Sequence, residues 1–147
     1  MSAAGTGNVT HSRDAPVYLL DTSALLTMIE DEPGAGRIES LLRHERVLIP
    51  WVALLEVHYI TTRRHDVAEA DRRYGLLTQV GATVLWDNDE SLLLQASHFK
   101  AGHRLSLADC LIAALAIRQR SVLVHRDPGY RQLEGEVELE ELPAVQD

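Results

Sequence analysis

Short, mostly apolar runs recur along the chain and alternate with longer segments of helical periodicity. The runs at residues 17–20, 47–49, 82–86 and 121–124 are rich in Val, Ile and Leu and too short for helices, which is typical of buried parallel strands. A further run at 136–142 alternates Val and Leu with Glu, and it predicts an edge strand with one face in water. The pattern therefore predicts an α/β fold with a parallel sheet of about five strands and helices on both faces.

Helical patterns occupy the intervals, at about residues 22–30, 35–44, 51–64, 67–80, 88–101 and 106–118. The segment 51–64 is apolar almost all round and is expected to be central. The segment 67–80 is more polar, with Ala68, Tyr74, Leu76 and Leu77 available for packing. Residues 1–15 are small and polar and predict a disordered extension, so that 16–147 forms one domain ending in an acidic strand and tail.

Charge and cysteine content narrow the functional classes. The formal net charge of −8 argues against a protein that holds nucleic acid by bulk charge, but six acids and no base follow Leu133, and the remaining charges nearly balance. Cys110 is the sole cysteine, which excludes an intrachain disulfide and disfavours a thiolate zinc site. No signal-like or membrane-spanning run is present, so a cytoplasmic protein without membrane contact is expected.

Two acids stand where local structure alone does not easily explain them. Asp21 follows the strand 17–20, at the edge of a parallel sheet where ligands bind, although it is equally suited to cap the next helix. Glu56 is the one acid in the otherwise apolar start of the segment 51–64, and a buried carboxylate needs a partner. The alternative for Glu56 is a solvent-facing stripe with an ion pair to Arg63.

Two further acids have ordinary structural explanations that do not exclude chemistry. Asp109 stands three residues after Ser106 at the start of an apolar helix, which resembles a capping box. Asp127 lies in an Asp-Pro-Gly sequence, which is typical of a turn. However, Asp127 also follows the strand 121–124, and Asp109 opens the helix that leads into that strand.

If the strands before Asp21 and Asp127 are neighbours, the four acids converge on one cleft. Four ionised carboxylates need a cation to remain together. Oxygen ligands without Cys or His favour a hard ion, Mg²⁺ or Mn²⁺. Such an ion can hold a phosphate and activate water, so the arrangement favours metal-assisted hydrolysis of phosphodiesters.

Around these acids, residues 19–25, 55–57, 107–114 and 123–130 resemble the four motifs of PIN-domain ribonucleases. A chain of this size is most similar to the VapC toxins of type II toxin–antitoxin pairs. The resemblance implies a three-layer PIN-like fold, a Mg²⁺- or Mn²⁺-dependent endoribonuclease acting on RNA, a homodimer, and inhibition by a cognate VapB-type antitoxin that inserts a segment into the active-site groove.

By position in these motifs, the resemblance implies that Asp21 and Asp109 are the principal metal ligands. Glu56 would complete the site directly or through water and help to orient the attacking water, and Asp127 would be a more weakly held fourth acid. Ser23 would support Asp21 through a hydrogen bond. His125 stands where the motif usually has Thr or Ser, so it either supports Asp127 or contacts substrate.

Two other functions fit the same motifs. One is a PIN nuclease of RNA maturation or decay, which the lack of an added RNA-binding domain disfavours. The other is a catalytically inactive PIN fold used as a binding module, which the presence of all four acids disfavours.

Overall fold

A computed structural model describes residues 15–146, and its centre is a sheet of five parallel strands. In chain order these are β1 (Val17–Leu20), β2 (Arg46–Pro50), β3 (Thr83–Leu85), β4 (Val122–His125) and β5 (Glu138–Glu141). The spatial order is β3-β2-β1-β4-β5, and every neighbouring pair is parallel. The predicted fold class is confirmed, and the strands before Asp21 and Asp127 are direct neighbours, as the convergence of the acids requires.

The helices of the described residues lie in the predicted intervals. They are α1 (Thr22–Ile29), α2 (Ala35–His44), α3 (Trp51–Arg64), α4 (Val67–Leu77), α5 (Glu90–Gly102) and α6 (Leu107–Arg118), with a 3-10 helix at Pro128–Leu133. Four α-helices begin at a side chain that accepts the N–H group three residues on, and these caps are Asp21, Asp66, Asp89 and Ser106.

The chain reverses its direction of travel across the sheet between β1 and β4. From β1 it moves outward through β2 to β3, and it then crosses back to β4 and continues to β5. Because such crossovers are right-handed, α1–α4 lie on one face of the sheet and α5 and α6 on the other. The gap between the carboxyl ends of β1 and β4 is therefore a topological switch point, where α/β proteins bind ligands.

Aliphatic side chains from the strands and helices form most of the core between these layers, together with buried aromatic rings. Leu19, Leu48 and Leu123 on the three central strands are fully buried, as is Phe99, the only phenylalanine. Burying these side chains is the main stabilising contribution, at about 1.5–3 kcal/mol each. The core thus holds β1 and β4 rigidly at the switch point.

Helix α3 is central, as predicted, because it packs against α1, α4 and α6, but it is not buried all round, since Leu55 is 55% exposed. The prediction for the packing face of α4 was wrong in part. Helix α4 ends at Leu77 and packs through Ala70, Arg73 and Leu77, while Tyr74 is exposed; of the other predicted packing residues, Ala68 and Leu76 are also exposed. Arg73 takes an interior position because it reaches Glu69, Glu30 and the Thr61 hydroxyl.

The acidic C-terminal segment is an edge strand tied to the body of the protein. Arg37 on α2 binds Glu140, and Arg131 in the 3-10 helix binds Glu141. Two of the acids that make the chain's end so negative are thereby neutralised. No helix within residues 15–146 combines the length and apolar character needed to cross a bilayer. Apart from Ala15, the predicted N-terminal extension lies outside the described residues.

Candidate active site

Asp21 lies at the carboxyl end of β1 and is only 2% exposed. Its carboxylate caps α1 by accepting the Ala24 N–H group at 2.8 Å, and both of its oxygens accept the Ser23 hydroxyl at 2.7 and 2.9 Å. Burial raises the pKa of Asp21 to about 7, against the lowering effect of these hydrogen bonds. Asp21 therefore does cap the helix, but the hydrogen bonds that it accepts do not offset the cost of burying its carboxylate in the ionised form.

Ser23 connects Asp21 to the neighbouring strand. While its hydroxyl donates to Asp21, its oxygen accepts the backbone N–H group of Arg126, just after β4, at 2.8 Å. The Asp21 N–H group also donates to the Val124 carbonyl at 3.2 Å. These bonds fix the ends of β1 and β4 against each other, and the structure contains the Ser23 hydrogen bond that the motif implies.

Asp109 enters the cleft from the first turn of α6. The Ser106 hydroxyl oxygen accepts its backbone N–H group at 3.1 Å, so the predicted helix cap is present. The carboxylate is left free for another partner, and its Oδ1 accepts the Tyr130 hydroxyl at 2.9 Å. Burial raises the pKa of Asp109, and the charges of Asp127 and Glu56 raise it further.

Asp127 combines a turn with a position beside the other acids. Its Oδ1 caps the 3-10 helix by accepting the Gly129 N–H group at 2.8 Å. A side-chain carbon on Gly129 would lie 3.1 Å from this oxygen, so the turn favours glycine. The charge of Asp127 contributes to the raised pKa of both Asp21 and Asp109, which places its carboxylate within their electrostatic range.

Glu56 extends toward the cleft from α3. Its Oε1 accepts the Thr22 hydroxyl from the start of α1, and its Oε2 accepts the Tyr59 hydroxyl at 3.3 Å. The alternative ion pair with Arg63 is wrong, because the Arg63 guanidinium instead lies 5.3 Å from the centre of the Tyr59 ring. Glu56 is therefore held by neutral hydroxyl donors, and no ion pair of the described residues includes it.

His125 cannot contact substrate in this structure, because it is fully buried. Its Nδ1 accepts the Asp127 N–H group at 3.2 Å, and its ring lies 4.9 Å from that of Tyr130. Burial lowers the pKa of His125, which favours the neutral ring that this acceptor role requires. Its Nε2 has no hydrogen-bond partner among the described residues. The substrate-contact alternative is thus wrong, and the side chain contacts the turn that carries Asp127.

Tyr130 is a site residue that the sequence analysis missed. It is fully buried, donates to Asp109, and has a pKa raised well above its usual value by burial and by the charges of Asp21, Asp109 and Asp127. The phenol oxygen therefore lies among three of the four acids. Its signals in the sequence were its place at the end of the fourth motif and its aromatic character inside an otherwise polar turn, three positions after Asp127.

The charges of Asp109 and Asp127 raise the pKa of Asp21, and those of Asp127 and Glu56 raise the pKa of Asp109, so the four predicted acids lie near one another at the switch point. Within residues 15–146 no three carboxylate, imidazole or thiol side chains already stand in an arrangement that could hold a metal ion. The carboxylate oxygens of the four acids instead accept hydrogen bonds from hydroxyl and backbone N–H groups, including those of Ser23, Thr22, Tyr130 and Gly129. The donor chemistry nevertheless fits a hard divalent cation, because all four groups are carboxylates and their mutual repulsion is unrelieved.

Comparison with known proteins identifies the family. The sequence profile of the PIN domain matches residues 18–136. The chain belongs to the PIN domain family. A search of curated protein sequences finds no match.

Solved structures with a similar fold include toxin–antitoxin complexes and a toxin. VapBC2 of Rickettsia felis, bound to a promoter DNA fragment, has a TM-score of 0.71 at 16% identity, covering 86% of this chain and 99% of the other. VapBC-1 of nontypeable Haemophilus influenzae has a TM-score of 0.67 at 22% identity, covering 85% and 97%. VapC20 of Mycobacterium tuberculosis, described as a sarcin-ricin loop cleaving toxin, has a TM-score of 0.63 at 16% identity, covering 78% and 93%.

Proposed function

We propose that this PIN domain is a metal-dependent endoribonuclease that hydrolyses RNA phosphodiester bonds. The observation that carries the proposal is the convergence of Asp21, Glu56, Asp109 and Asp127 at the switch point between β1 and β4. Burial raises the pKa of Asp21 to about 7, with a further contribution from Asp109 and Asp127. Perturbed carboxylates gathered in a cleft are typical of a catalytic site. The similarity to an RNA-cleaving VapC supports RNA as the substrate.

Asp21 and Asp109 would hold a Mg²⁺ or Mn²⁺ ion, with Glu56 and Asp127 completing the anionic cleft. The ion would supply Lewis-acid stabilisation of the phosphate and a lowered pKa of the attacking water. The Ser23 hydroxyl orients Asp21, and the Tyr130 hydroxyl orients Asp109. Glu56 is held only by neutral hydroxyl groups, so its carboxylate can accept a proton from water or orient it.

The test is cleavage of labelled tRNA, rRNA and mRNA by purified protein with Mn²⁺ or with EDTA. Asp109→Asn should abolish cleavage, because it removes the negative charge at the start of α6 and replaces one carboxylate oxygen by an NH2 group, while it keeps the shape of the side chain. Asp71→Asn is the matched control, since Asp71 is an exposed acid on α4 that pairs with His58. Undiminished cleavage by Asp109→Asn, or by the wild type in EDTA, would refute the assignment.

We further propose that the enzyme is the toxin of a VapBC-type pair, acts in the cytoplasm, forms a homodimer and is inhibited by a VapB-type antitoxin. The structural neighbours that are VapBC complexes support this proposal. A protein partner also suits the exposed apolar residues Leu55 and Trp86, which line one groove with Tyr74. Expression alone should arrest growth, and coexpression of a small adjacent antitoxin gene should restore it.

If cleavage is found without growth arrest, the enzyme acts instead in RNA maturation or decay. If pure protein binds RNA without cleaving it under any metal condition, the fold serves as a binding module. Both outcomes leave the PIN fold intact and replace the toxin assignment.

A further inference from the structure

An aromatic side chain and a cationic one follow Glu56 along α3, in the direction away from the acidic cleft. Glu56, Tyr59 and Arg63 are spaced three and four residues apart, so they lie along one face of the helix. The Tyr59 hydroxyl donates to Glu56 Oε2 at 3.3 Å, and the Arg63 guanidinium lies 5.3 Å from the Tyr59 ring centre. The Tyr59 hydroxyl therefore contacts a carboxylate of the cleft, while the face of its ring lies next to the positive charge of Arg63.

The Tyr59 ring borders the cleft and is open to solvent. Tyr59 is 39% exposed, although it lies beside the cleft that contains the four acids. The charge of Glu56 contributes most to the raised pKa of its phenol, and the charge of Asp109 also contributes. Tyr59 is thus near two acids that come from different helices, and a molecule bound in the cleft would meet its ring.

Arg63 differs from three other arginines of this region in the group that its guanidinium faces. Arg126 binds Glu32, Arg131 binds Glu141, and Arg73 binds Glu69 and Glu30. Among the ion pairs of the described chain, none includes Arg63, whose guanidinium faces an aromatic ring instead. Its positive charge is therefore not neutralised by a carboxylate.

A polyanionic substrate needs such a cation here, because the chain carries a formal charge of −8 and the cleft itself repels phosphate. Aromatic rings next to a cationic track are the usual means by which proteins bind single-stranded nucleic acid, since every base has a face that can stack. Bases inside an A-form duplex are not free to stack on a protein side chain.

We propose that Tyr59 and Arg63 form a subsite for one unpaired nucleotide of RNA next to the scissile bond. The base stacks on the Tyr59–Arg63 pair, and Arg63 contacts a neighbouring phosphate. The inference rests on the proposed ribonuclease function, and it assigns the stacking of a base to Tyr59 and the contact with a phosphate to Arg63.

The first test measures RNA affinity without relying on cleavage. A fluorescein-labelled, mixed-sequence single-stranded oligoribonucleotide is titrated with full-length protein in EDTA, and binding is followed by anisotropy. Tyr59→Leu removes the ring and should weaken binding about tenfold. Tyr59→Phe keeps the ring and loses only the bond to Glu56, so its affinity should match the wild type.

Arg63→Gln tests the phosphate contact through salt dependence. It should weaken binding and lower the slope of log affinity against log salt by about one. Arg46→Gln is the matched control, because Arg46 is exposed at the opposite, amino-terminal edge of the sheet, and it should change neither quantity. Cleavage kinetics with Mn²⁺ should show the Tyr59→Leu effect mainly in KM.

Unchanged RNA affinity for both Tyr59→Leu and Arg63→Gln, in proteins that still cleave RNA, would overturn the subsite and leave the proposed function standing. A change of oligomeric state in these variants, measured by light scattering, with RNA affinity retained, would also overturn it and assign this face to a protein contact. Tight RNA binding that depends on both residues, in a wild type that cleaves nothing, would support the subsite and refute the ribonuclease.

Discussion

The raised pKa of Asp21 makes the stability of the metal-free protein depend on pH, and the substitution Asp21→Asn should remove that dependence. Burial is the main cause that raises this pKa from 3.8 to about 7. Because a difference of one in pKa corresponds to about 1.4 kcal/mol, ionising Asp21 costs the metal-free fold about 4 kcal/mol. Asn keeps the size of the side chain and can still accept the Ala24 N–H group.

The sign of this pH dependence follows from the number of protons that the folded and unfolded states bind. In the unfolded chain Asp21 ionises near pH 3.8, whereas in the folded protein it keeps its proton until about pH 7. The folded state therefore holds the extra proton between these values, and stability falls as the pH rises through this window. Below about pH 4 the penalty is absent, and above about pH 7 it is complete.

Urea unfolding in EDTA at several pH values between 4 and 8 measures this effect. The gain in unfolding free energy from Asp21→Asn should grow from near zero at pH 4 to about 4 kcal/mol at pH 8. The other acids are common to both proteins, and Glu39→Gln serves as the control, because Glu39 is exposed on α2 and takes part in no ion pair of the described residues, so its curve should run parallel to the wild type. If the curves of wild type and Asp21→Asn stay parallel across the range, the reasoning about this buried acid fails.

Two further substitutions test the groups around the acids. Tyr130→Phe keeps the ring beside His125 but removes the donor to Asp109, so the pKa of Asp109 should rise further. We expect weaker Mn²⁺ binding by calorimetry and an acid limb of the pH–rate profile displaced to higher pH; wild-type values for both would contradict this role. Ser106→Ala removes the cap of α6 and should cost about 1 kcal/mol in urea unfolding, and a loss near zero would show that the cap is not needed.

Much of the fold was predictable because its signals are local. The buried strand before Asp21, the helix that starts at Trp51 and the cap at Ser106 each follow from apolar runs, helical periodicity or a backbone donor that needs an acceptor within three residues. These features do not depend on which distant segment packs against them.

The faces of α3 and α4 were less predictable. Leu55 and Tyr74 are apolar or aromatic at helical spacing, yet both are substantially exposed, while Arg73 is buried. Periodicity finds a helix but does not determine which side meets its neighbour when apolar residues occur all round. That choice depends on the packing of α3 against α4 and on the partners that Arg73 finds on other helices.

The amino-acid pattern predicted which acids form the candidate site, but their surroundings are visible only in the folded chain. The Tyr130 hydroxyl reaches an acid 21 residues away, the Thr22 hydroxyl reaches one 34 residues away, and the burial of His125 excludes it from the substrate. Hydrogen bonds of such long range leave no periodic trace in a sequence, because they are formed by the approach of separate elements. The chemistry of each group is inherited from its residue type, whereas its charge, partners and accessibility come from the packing around it.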